Sequence, residues 1–241
     1  MARDVALMRR ARETGEIVFS IYEWTRPTLS LGRNQRAQGC YDLDAISSRG
    51  IDVVRRPTGG RALLHNREVT YSVTAPLAES ASLRESYDRI NRILLEGLLS
   101  LGVGAAVAGS SSRALPPTDM PCFAEPSAGE LISDNRKLVG SAQWRDNGAL
   151  LQHGSILIGN DQTMIAELAA DPTDDHDVPV PATLAETLGY APSVAEVADA
   201  MFASVRDIED RNAVDMDESE VFAATEQELP LFENELWTWR R

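Results

Sequence analysis

The chain has 241 residues and a formal net charge of −14 at pH 7, with 37 acidic side chains against 23 basic ones. This charge argues against nucleic acid as the main partner, and its two cysteines, Cys40 and Cys122, suggest neither a disulfide framework nor a metal site. The N-terminus has no signal-peptide hydrophobic region and no segment reaches transmembrane length, so we expect a soluble, cytoplasmic protein.

The first part of the chain alternates short strands with a few helices. Apolar periodicity and turn residues predict helices over 2–14, 42–48 and 83–101, and strands over 17–24, 28–31, 51–55, 62–65, 69–75 and 103–108. The helix over 83–101 has the clearest signal, because five apolar residues recur there at helical spacing: Tyr87, Ile90, Leu94, Leu98 and Leu101. The length of the chain is ample for a substantial core.

A Ser/Pro-rich loop over 109–121 precedes a run of strands joined by tight turns at Asp134-Asn135 and Asp146-Asn147-Gly148. Strands are predicted over 130–132, 137–144, 149–151 and 155–158, then an acidic linker over 171–182 and helices over 194–209 and 219–228. This order predicts an α+β fold, with a mixed, largely antiparallel sheet flanked by helices that lie mostly on one side. We expect a main domain over 1–170 and a C-terminal helical segment over 183–241 that packs on it or extends it.

Charge is divided unevenly along the chain. Residues 1–145 carry 19 Lys/Arg and 16 Asp/Glu, a net charge of +3, whereas residues 146–241 carry 4 and 21, a net charge of −17. An acidic macromolecular partner is therefore expected to bind the first part. The alternative is that the acidic tail only keeps the protein in solution, and the two interpretations are compatible.

The first candidate site segment runs from Arg55 through Arg56-Pro57-Thr58-Gly59-Gly60 to Arg61 and is followed by His65 on a predicted strand. Adjacent glycines let the backbone approach a ligand and direct N–H groups at it, and the arginines add positive charge. A Gly-Gly pair alone is usually a turn, and a single histidine is often a structural hydrogen-bonding group. Their combination with flanking arginines favours a binding loop.

The second candidate is Cys122, in Pro121-Cys122-Phe123-Ala124-Glu125-Pro126-Ser127. A free cysteine more often fills a core than acts as a nucleophile. Its position at the end of an irregular loop nevertheless allows exposure, and a nearby cation would lower the pKa of the thiol from about 8.5. An antiparallel pairing around residue 134 would bring Lys137 toward it. Cys40 lacks such a context and is interpreted as structural.

The third candidate contains Lys137, which is the only lysine beside 22 arginines. Lysine is a compact charge on a slim stem, whereas arginine is a broad planar fork that stays charged. One lysine left by a compositional bias toward arginine would carry no function, and residue counts alone do not decide. The neighbouring residues favour a function for Lys137. Gly140, Ser141 and Ala142 follow it closely, Gly154 lies beyond the turn at 146–148, and a slim acyl chain could lie against these small residues. His153, beside that turn, is more often structural when it stands alone.

Together these segments resemble the lipoate–protein ligase/octanoyltransferase family, which shares its fold with the biotin protein ligases. Four segments occur in the family's order: the arginine–glycine segment, the Cys-Phe and Pro-Ser pairs, Lys-Leu-Val-Gly-Ser-Ala-Gln (137–143) and Gln-His-Gly-Ser-Ile-Leu (152–157). Asn34-Gln35 also fits. The resemblance covers about residues 1–157. ATP-dependent ligases usually have a third glycine where this chain has Arg61, so the chain is most similar to the cysteine-dependent octanoyl-[acyl-carrier-protein]:protein N-octanoyltransferases. Members normally begin with a strand and a turn before the first helix, whereas this chain begins at the helix.

The resemblance implies the biotin/lipoate protein ligase catalytic-domain fold and an octanoyltransferase. Octanoyl would move from acyl carrier protein to a lysine of a lipoyl-domain protein, such as glycine-cleavage H protein or a dehydrogenase E2 subunit. Cys122 would form the acyl-enzyme and Lys137 would support it, without a metal or a nucleotide cofactor. The implied binding residues are Arg56, Thr58, Gly59, Gly60, Arg61, His65, Gly140, Ser141, Ala142, His153 and Gly154. The arginines expected to meet the acidic partner proteins are Arg33, Arg36, Arg56, Arg61 and Arg145.

Two alternatives stay open. An ATP-dependent lipoate–protein ligase without its accessory domain would need ATP and Mg²⁺, would not need Cys122, and would use Lys137 to bind the acyl-adenylate. A non-catalytic relative would bind lipoyl domains or acylated carrier protein without transferring the acyl group.

Overall fold

The computed structural model describes residues 1–78, 80–109, 123, 128–171 and 179–240. Their strands are β1 (Val18–Tyr22), β2 (Thr28–Leu31), β3 (Asp52–Arg55), β4 (Leu63–His65), β5 (Glu68–Pro76), β6 (Ala105–Val107), β7 (Leu131–Ser133), β8 (Arg136–Asp146) and β9 (Ala149–Leu157). Their helices are α1 (Ala2–Thr14), α2 (Leu43–Ser48), α3 (Leu83–Ser100), α4 (Met164–Glu167), α5 (Leu184–Leu188), α6 (Val194–Ile208), α7 (Ser219–Phe232) and α8 (Glu235–Thr238). None of these helices is both long enough and apolar enough to cross a bilayer.

The strands form two sheets. Six of them make an antiparallel sheet in the order β1-β5-β9-β8-β7-β6, and a smaller sheet has the order β3-β2-β4. In the smaller sheet β2 pairs parallel with β3 and antiparallel with β4. The predicted α+β class with mixed, largely antiparallel pairing is confirmed. The expectation of a single sheet is wrong, because the turn after β3 returns the chain alongside β2, and β4 pairs there.

The large sheet has two different faces, because successive side chains of a strand point to opposite sides. One face packs against α3 and α6 and forms the main core, which includes Val69, Tyr71, Val73, Val139 and Ile156. On the other face, Met8 of α1 packs against Ala149 and Leu151 of β9. Helices therefore cover both faces. The prediction that they lie mostly on one side is wrong, because α1 also has an apolar stripe to bury.

The two longest helices, α3 and α6, begin at side-chain caps that the sequence provides. Ser82 accepts a hydrogen bond from the Glu85 N–H at the start of α3, and Ser193 and Glu196 form a capping box at the start of α6. Apolar residues of the C-terminal region, including Ala182 and Leu184, belong to the main core.

Both predicted tight turns are present. Asp134-Asn135 and Asn147-Gly148 have positive φ angles, which two-residue hairpin turns require. The prediction of separate strands over 149–151 and 155–158 is wrong, because β9 is continuous and His153 lies inside it. Gly154 does not interrupt this strand. A Cβ atom there would lie 2.1 Å from the Gly140 carbonyl oxygen, so glycine lets β8 and β9 pair this closely.

Candidate functional site

A cavity lies on the face of the large sheet opposite the main core, beside the Gly59-Gly60 turn. Its lining is largely apolar and includes eight of the predicted site residues: Arg56, Gly60, His65, Gly140, Ser141, Ala142, His153 and Gly154. The remaining lining residues, which the sequence did not indicate, are Met1, Leu63, Thr70 and Ser155.

The Arg56 side chain holds the arginine–glycine turn, which we define as residues 56–61, in its shape. Its guanidinium donates to the carbonyl oxygens of Gly59, at 3.0 Å, and Arg61, at 2.6 Å. It also donates to the Ser30 carbonyl at 2.9 Å. Arg56 is only 4% exposed. Because these bonds keep the side chain inside the protein, the expectation that Arg56 faces a protein partner is wrong.

His65 lies in a buried hydrogen-bonded chain that leads to Arg56. Its Nδ1 is 3.0 Å from Glu68 Oε1, and its Nε2 is 2.9 Å from Ser30 Oγ. The Ser30 hydroxyl also accepts from Arg56 Nη1 at 3.1 Å. The imidazole stacks on Trp24, with ring centroids 4.3 Å apart. His65 is therefore fixed in orientation at the cavity wall and coupled to the turn.

His153 joins the turn to α1. Its Nε2 is 2.6 Å from Thr58 Oγ1, and its Nδ1 is 3.2 Å from Asp4 Oδ2. Burial lowers the pKa of His153 below its ordinary value, and the charge of Arg56 acts in the same direction, whereas Asp4 opposes the shift. The neutral ring fits this position, because Nδ1–H can donate to Asp4 while Nε2 accepts from the Thr58 hydroxyl.

Lys137 lies beside the cavity and is only 3% exposed. Its Nζ is 2.7 Å from Glu130 Oε1 and 5.1 Å from the centre of the Phe123 ring. A Cβ atom on Gly140 would lie 3.4 Å from Lys137 Cε and 2.9 Å from the Phe123 ring. Gly140 therefore contacts both the lysine stem and the Phe123 ring, and the three residues pack closely together.

A bulge in β8 explains how Lys137 reaches this face. Opposite β7, Leu131 pairs with Val139 and Ile132 pairs with Lys137, so that Leu138 is an extra residue. Leu138 and Val139 both lie in the main core. Lys137 and Gly140, which would otherwise point to opposite sides, contact each other on the cavity face.

The remaining predicted residues are placed as follows. Thr58, Gly59 and Arg61 belong to the turn but do not line the cavity. Cys122 lies outside the described residues, and Phe123, which directly follows it in the sequence, is buried. Cys40 is half-buried in the segment before α2 and does not line the cavity.

Three carboxylates of the site were missed by sequence reasoning: Asp4, Glu68 and Glu130. Each is at most 8% exposed and bonds to a predicted site residue. The burial of Asp4 had one signal in the sequence, because Asp4 lies on the same side of α1 as the apolar residues Ala2, Ala6 and Leu7. Glu68 and Glu130 carried none, because charged side chains are usually exposed.

Arginines and tryptophans lie near the turn at the protein surface. Arg36 and Arg145 are exposed, whereas Arg33 and Arg61 are partly buried. The Arg33 guanidinium lies 5.0 Å from the Trp144 ring, and its backbone N–H donates to the Thr58 carbonyl at 2.7 Å. Across the described part of the chain, no group of three or more His, Cys, Asp or Glu side chains could hold a metal ion.

Comparison with known proteins gives consistent matches. The family model described as the lipoyl protein ligase A/B catalytic domain matches residues 1–206. The octanoyltransferase LipM of Kyrpidia tusciae is 44% identical over 185 residues, which are 72% of this chain and 66% of that protein. The octanoyltransferase LipM of Carboxydothermus hydrogenoformans is 45% identical over 166 residues, 67% of this chain and 61% of that protein. The chain thus covers less than two thirds of either relative.

A solved structure has the same fold. It is a candidate lipoate protein ligase of T. acidophilum with bound lipoic acid, 19% identical, with a TM-score of 0.80 over 100% of this chain and 92% of that one. The predicted ligase catalytic-domain fold is therefore confirmed.

Proposed function

This chain belongs to the lipoyl protein ligase A/B catalytic-domain family, as its motifs predicted, and from this membership we propose that it transfers an octanoyl group from acyl carrier protein to a lysine of a lipoyl-domain protein. One observation carries the proposal. The only lysine of the chain is buried beside an apolar cavity and against Phe123, the residue that follows Cys122 in the sequence. Relatives at 44% and 45% identity are octanoyltransferases, which supports the same reaction class.

The first half-reaction would load the enzyme. The Cys122 thiolate attacks the carbonyl carbon of the octanoyl thioester, a new C–S bond forms, the C–S bond to the carrier breaks, and the leaving carrier thiolate takes a proton from the Lys137 ammonium. The Lys137 ammonium favours the thiolate because an adjacent cation lowers the pKa of a thiol. Backbone N–H groups at Gly59-Gly60 or near Cys122 stabilise the negative oxygen of the tetrahedral intermediate.

The second half-reaction would release the product. The amine of the acceptor lysine attacks the acyl-enzyme, an amide bond forms, and Cys122 leaves as a thiolate. The amine must lose a proton in this step. Lys137 can accept it, because its ammonium gave a proton to the leaving carrier thiolate in the first half-reaction. The Glu130 carboxylate, 2.7 Å away, stabilises the Lys137 ammonium that forms again.

The cavity would hold the acyl chain. Burial of methylene groups contributes about 0.8 kcal/mol each, on the order of 5 kcal/mol for an eight-carbon chain before the costs of binding. His65 and Arg56 keep the cavity wall in shape through their hydrogen bonds to Ser30. This chemistry needs no metal and no nucleotide.

The protein partners are proposed to be acidic, and to bind the surface around Arg33, Arg36, Arg61 and Arg145. Like charge in residues 146–241 would keep such partners away from the tail. We expect kcat/KM with an acidic carrier protein to rise as ionic strength falls, because salt shortens the reach of these charges to about 10 Å at 0.1 M. A kcat/KM unchanged between low and high salt would contradict electrostatic docking.

A reconstituted assay tests the function. The protein is incubated with a lipoyl-domain acceptor and either octanoyl-acyl carrier protein or free octanoate with ATP and Mg²⁺. We expect product only from the carrier-bound donor, loss of product in Cys122→Ala, and near-normal product in the matched control Cys40→Ala. Product from octanoate and ATP that persists in Cys122→Ala would show an ATP-dependent ligase. Binding of the acceptor without product from either donor would show a non-catalytic binder.

A further inference from the structure

The C-terminal helix α8 contacts Arg55, which directly precedes the arginine–glycine turn, although the helix lies beyond residues 1–206, which the family model matches. We infer that α8 holds this turn in position, so that Arg55 and Trp237 are positioning residues for the site. The inference concerns the shape of the turn and does not depend on the reaction proposed above. Only its activity measurement rests on that proposal.

Arg55 is the centre of the contact. Its side chain is fully buried at 0% exposure. Its Nε donates to the carbonyl of Thr238 at 2.8 Å and to that of Trp237 at 3.1 Å. Its Nη1 donates to the carbonyls of Gly32 at 2.6 Å and Gln35 at 2.8 Å. One guanidinium thus joins the end of α8 to the turn that follows β2.

These bonds satisfy polar groups both on α8 and on Arg55. The last carbonyls of a helix have no partner within the helix, and a buried guanidinium must find acceptors. Helix α8 has only four residues, too few to be stable without tertiary contacts. Its position is therefore set by the residues it touches, and Arg55 depends in turn on α8.

Trp237 makes a second bond between the same segments. Its indole Nε1 donates to the Arg55 carbonyl at 2.8 Å. Arg240 lies over the Trp237 ring at 3.9 Å. Trp237 therefore fixes the backbone of the residue that directly precedes Arg56.

Two contacts pass this restraint to the cavity. The Arg33 N–H donates to the Thr58 carbonyl at 2.7 Å, and a Cβ atom on Gly32 would lie 1.9 Å from the Gly60 carbonyl oxygen. The segment that Arg55 holds, residues 32–35, thus packs directly on the turn. Gly60 and Arg56 line the cavity, so a shift of α8 would displace part of the cavity wall.

Hydrogen exchange of the full-length protein tests the inference. Trp237→Phe removes the indole N–H while keeping an aromatic ring, and Leu236→Ala is the matched control because Leu236 is 82% exposed on the same helix. We expect amides in 32–35 and 58–61 to exchange at least about five-fold faster in Trp237→Phe, with β5 and β9 unchanged. Leu236→Ala should match the wild type. If Trp237→Phe retains part of the packing of the ring, Trp237→Ala should speed exchange further in the same two segments.

Two results would overturn the inference. One is faster exchange confined to α8 in both Trp237 variants, which would mean that α8 only covers the surface. The other is an equal increase throughout the sheet, which would mean general destabilisation.

Kinetics give an independent readout. If the protein transfers octanoyl, Trp237→Phe should lower kcat by about five-fold without lowering the melting temperature, because a misplaced turn impairs catalysis more than folding. An unchanged kcat would count against the positioning role. A wild-type protein that transfers nothing would refute the proposed function, and the exchange experiment would still test the inference.

Discussion

The two faces of the large sheet differ in chemistry although the same strands build both. Along β5, Val69, Tyr71 and Val73 alternate with Thr70, Ser72 and Thr74, and all six are at most 5% exposed. The first set packs in the main core with α3 and α6. The second set points to the side that holds the cavity, where Thr70 lines it.

This difference shows that burial alone does not distinguish a core from a site. A buried hydroxyl needs a hydrogen-bond partner, so the polar face must supply networks, such as the chain from Glu68 through His65 and Ser30 to Arg56. We therefore expect substitutions on the apolar face to change stability, and substitutions around the cavity to change activity as well.

The largest effect is expected at Lys137. Lys137→Arg should lower octanoyl transfer by about 100-fold or more, nearly as much as Lys137→Ala, because a guanidinium is wider than the ammonium group that lies beside the Phe123 ring and does not release a proton. Initial rates with octanoyl-carrier donor measure it. Arg136→Lys, an opposite exchange at the neighbouring position, is the control and should be nearly silent. Transfer by Lys137→Arg at close to the wild-type rate would mean that the lysine is a compositional accident.

The buried pair allows activity and stability to be separated. Lys137→Met alone should destabilise the fold by about 3–5 kcal/mol, because it leaves the Glu130 carboxylate buried without this ammonium. Adding Glu130→Gln should restore most of the stability and none of the transfer. Urea unfolding and initial rates of both variants provide the measurement. Recovery of transfer in the double variant would show that neither group takes part in the reaction.

A large-to-small substitution on the apolar face should lower stability without changing the rate of transfer. Leu94→Ala in α3 removes a side chain that is fully buried in the main core. We expect a loss of about 2–5 kcal/mol in the free energy of unfolding, measured in urea. Transfer per folded molecule should stay the same, since Leu94 lies in the main core and does not line the cavity. A comparable fall in kcat would mean that the two faces are not independent.

Two threonines on the polar face provide a smaller and matched comparison. Thr70 Oγ1 donates to Glu68 Oε1 at 2.6 Å and accepts from Trp24 Nε1 at 2.9 Å. Among the described residues, Thr74 Oγ1 has no hydrogen-bond partner. Thr70→Val should therefore cost about 1–3 kcal/mol of stability, and Thr74→Val about 0.5 kcal/mol or less in either direction. Equal costs in thermal or urea unfolding would show that the Glu68 network contributes little.

The pH dependence of stability should contain a contribution from His153. Its pKa is lowered in the folded protein by burial, so near its ordinary pKa of about 6.5 the unfolded chain binds more protons than the folded one. This contribution is fully present above pH 6.5 and declines as pH falls through the lowered pKa. His153→Gln should flatten the fall in stability below pH 6.5, measured by urea unfolding at several pH values. An unchanged slope would place the titration elsewhere.

Much of this fold could be predicted because its signals are local. The apolar repeat of α3 and the turn residues between β8 and β9 are adjacent in the sequence. The misreading of β9 has a tertiary cause, because Gly154 looks like an interruption until the Gly140 carbonyl beside it is known. Helix α8 is too short for any periodicity, and its place depends on Arg55, about 180 residues earlier.

The candidate site shows the same division. The residue types that carry chemistry, a lone lysine and paired glycines between arginines, are visible in the sequence. Their partners Glu68, Glu130 and Asp4 are not, because only folding brings a carboxylate into a buried contact with a distant cation or imidazole. The bulge at Leu138, which turns Lys137 toward the cavity, likewise arises from pairing between strands.

Locating the octanoyl group on the protein tests the proposed acyl-enzyme mechanism. The protein is incubated with octanoyl-acyl carrier protein without an acceptor, quenched in acid, digested, and its peptides are analysed by mass spectrometry. The mechanism predicts an octanoyl thioester on Cys122 and none on Cys40, and loss of the adduct when a lipoyl-domain acceptor is added. Octanoyl on Cys40, or transfer to the acceptor with no adduct on Cys122 at any time, would contradict it.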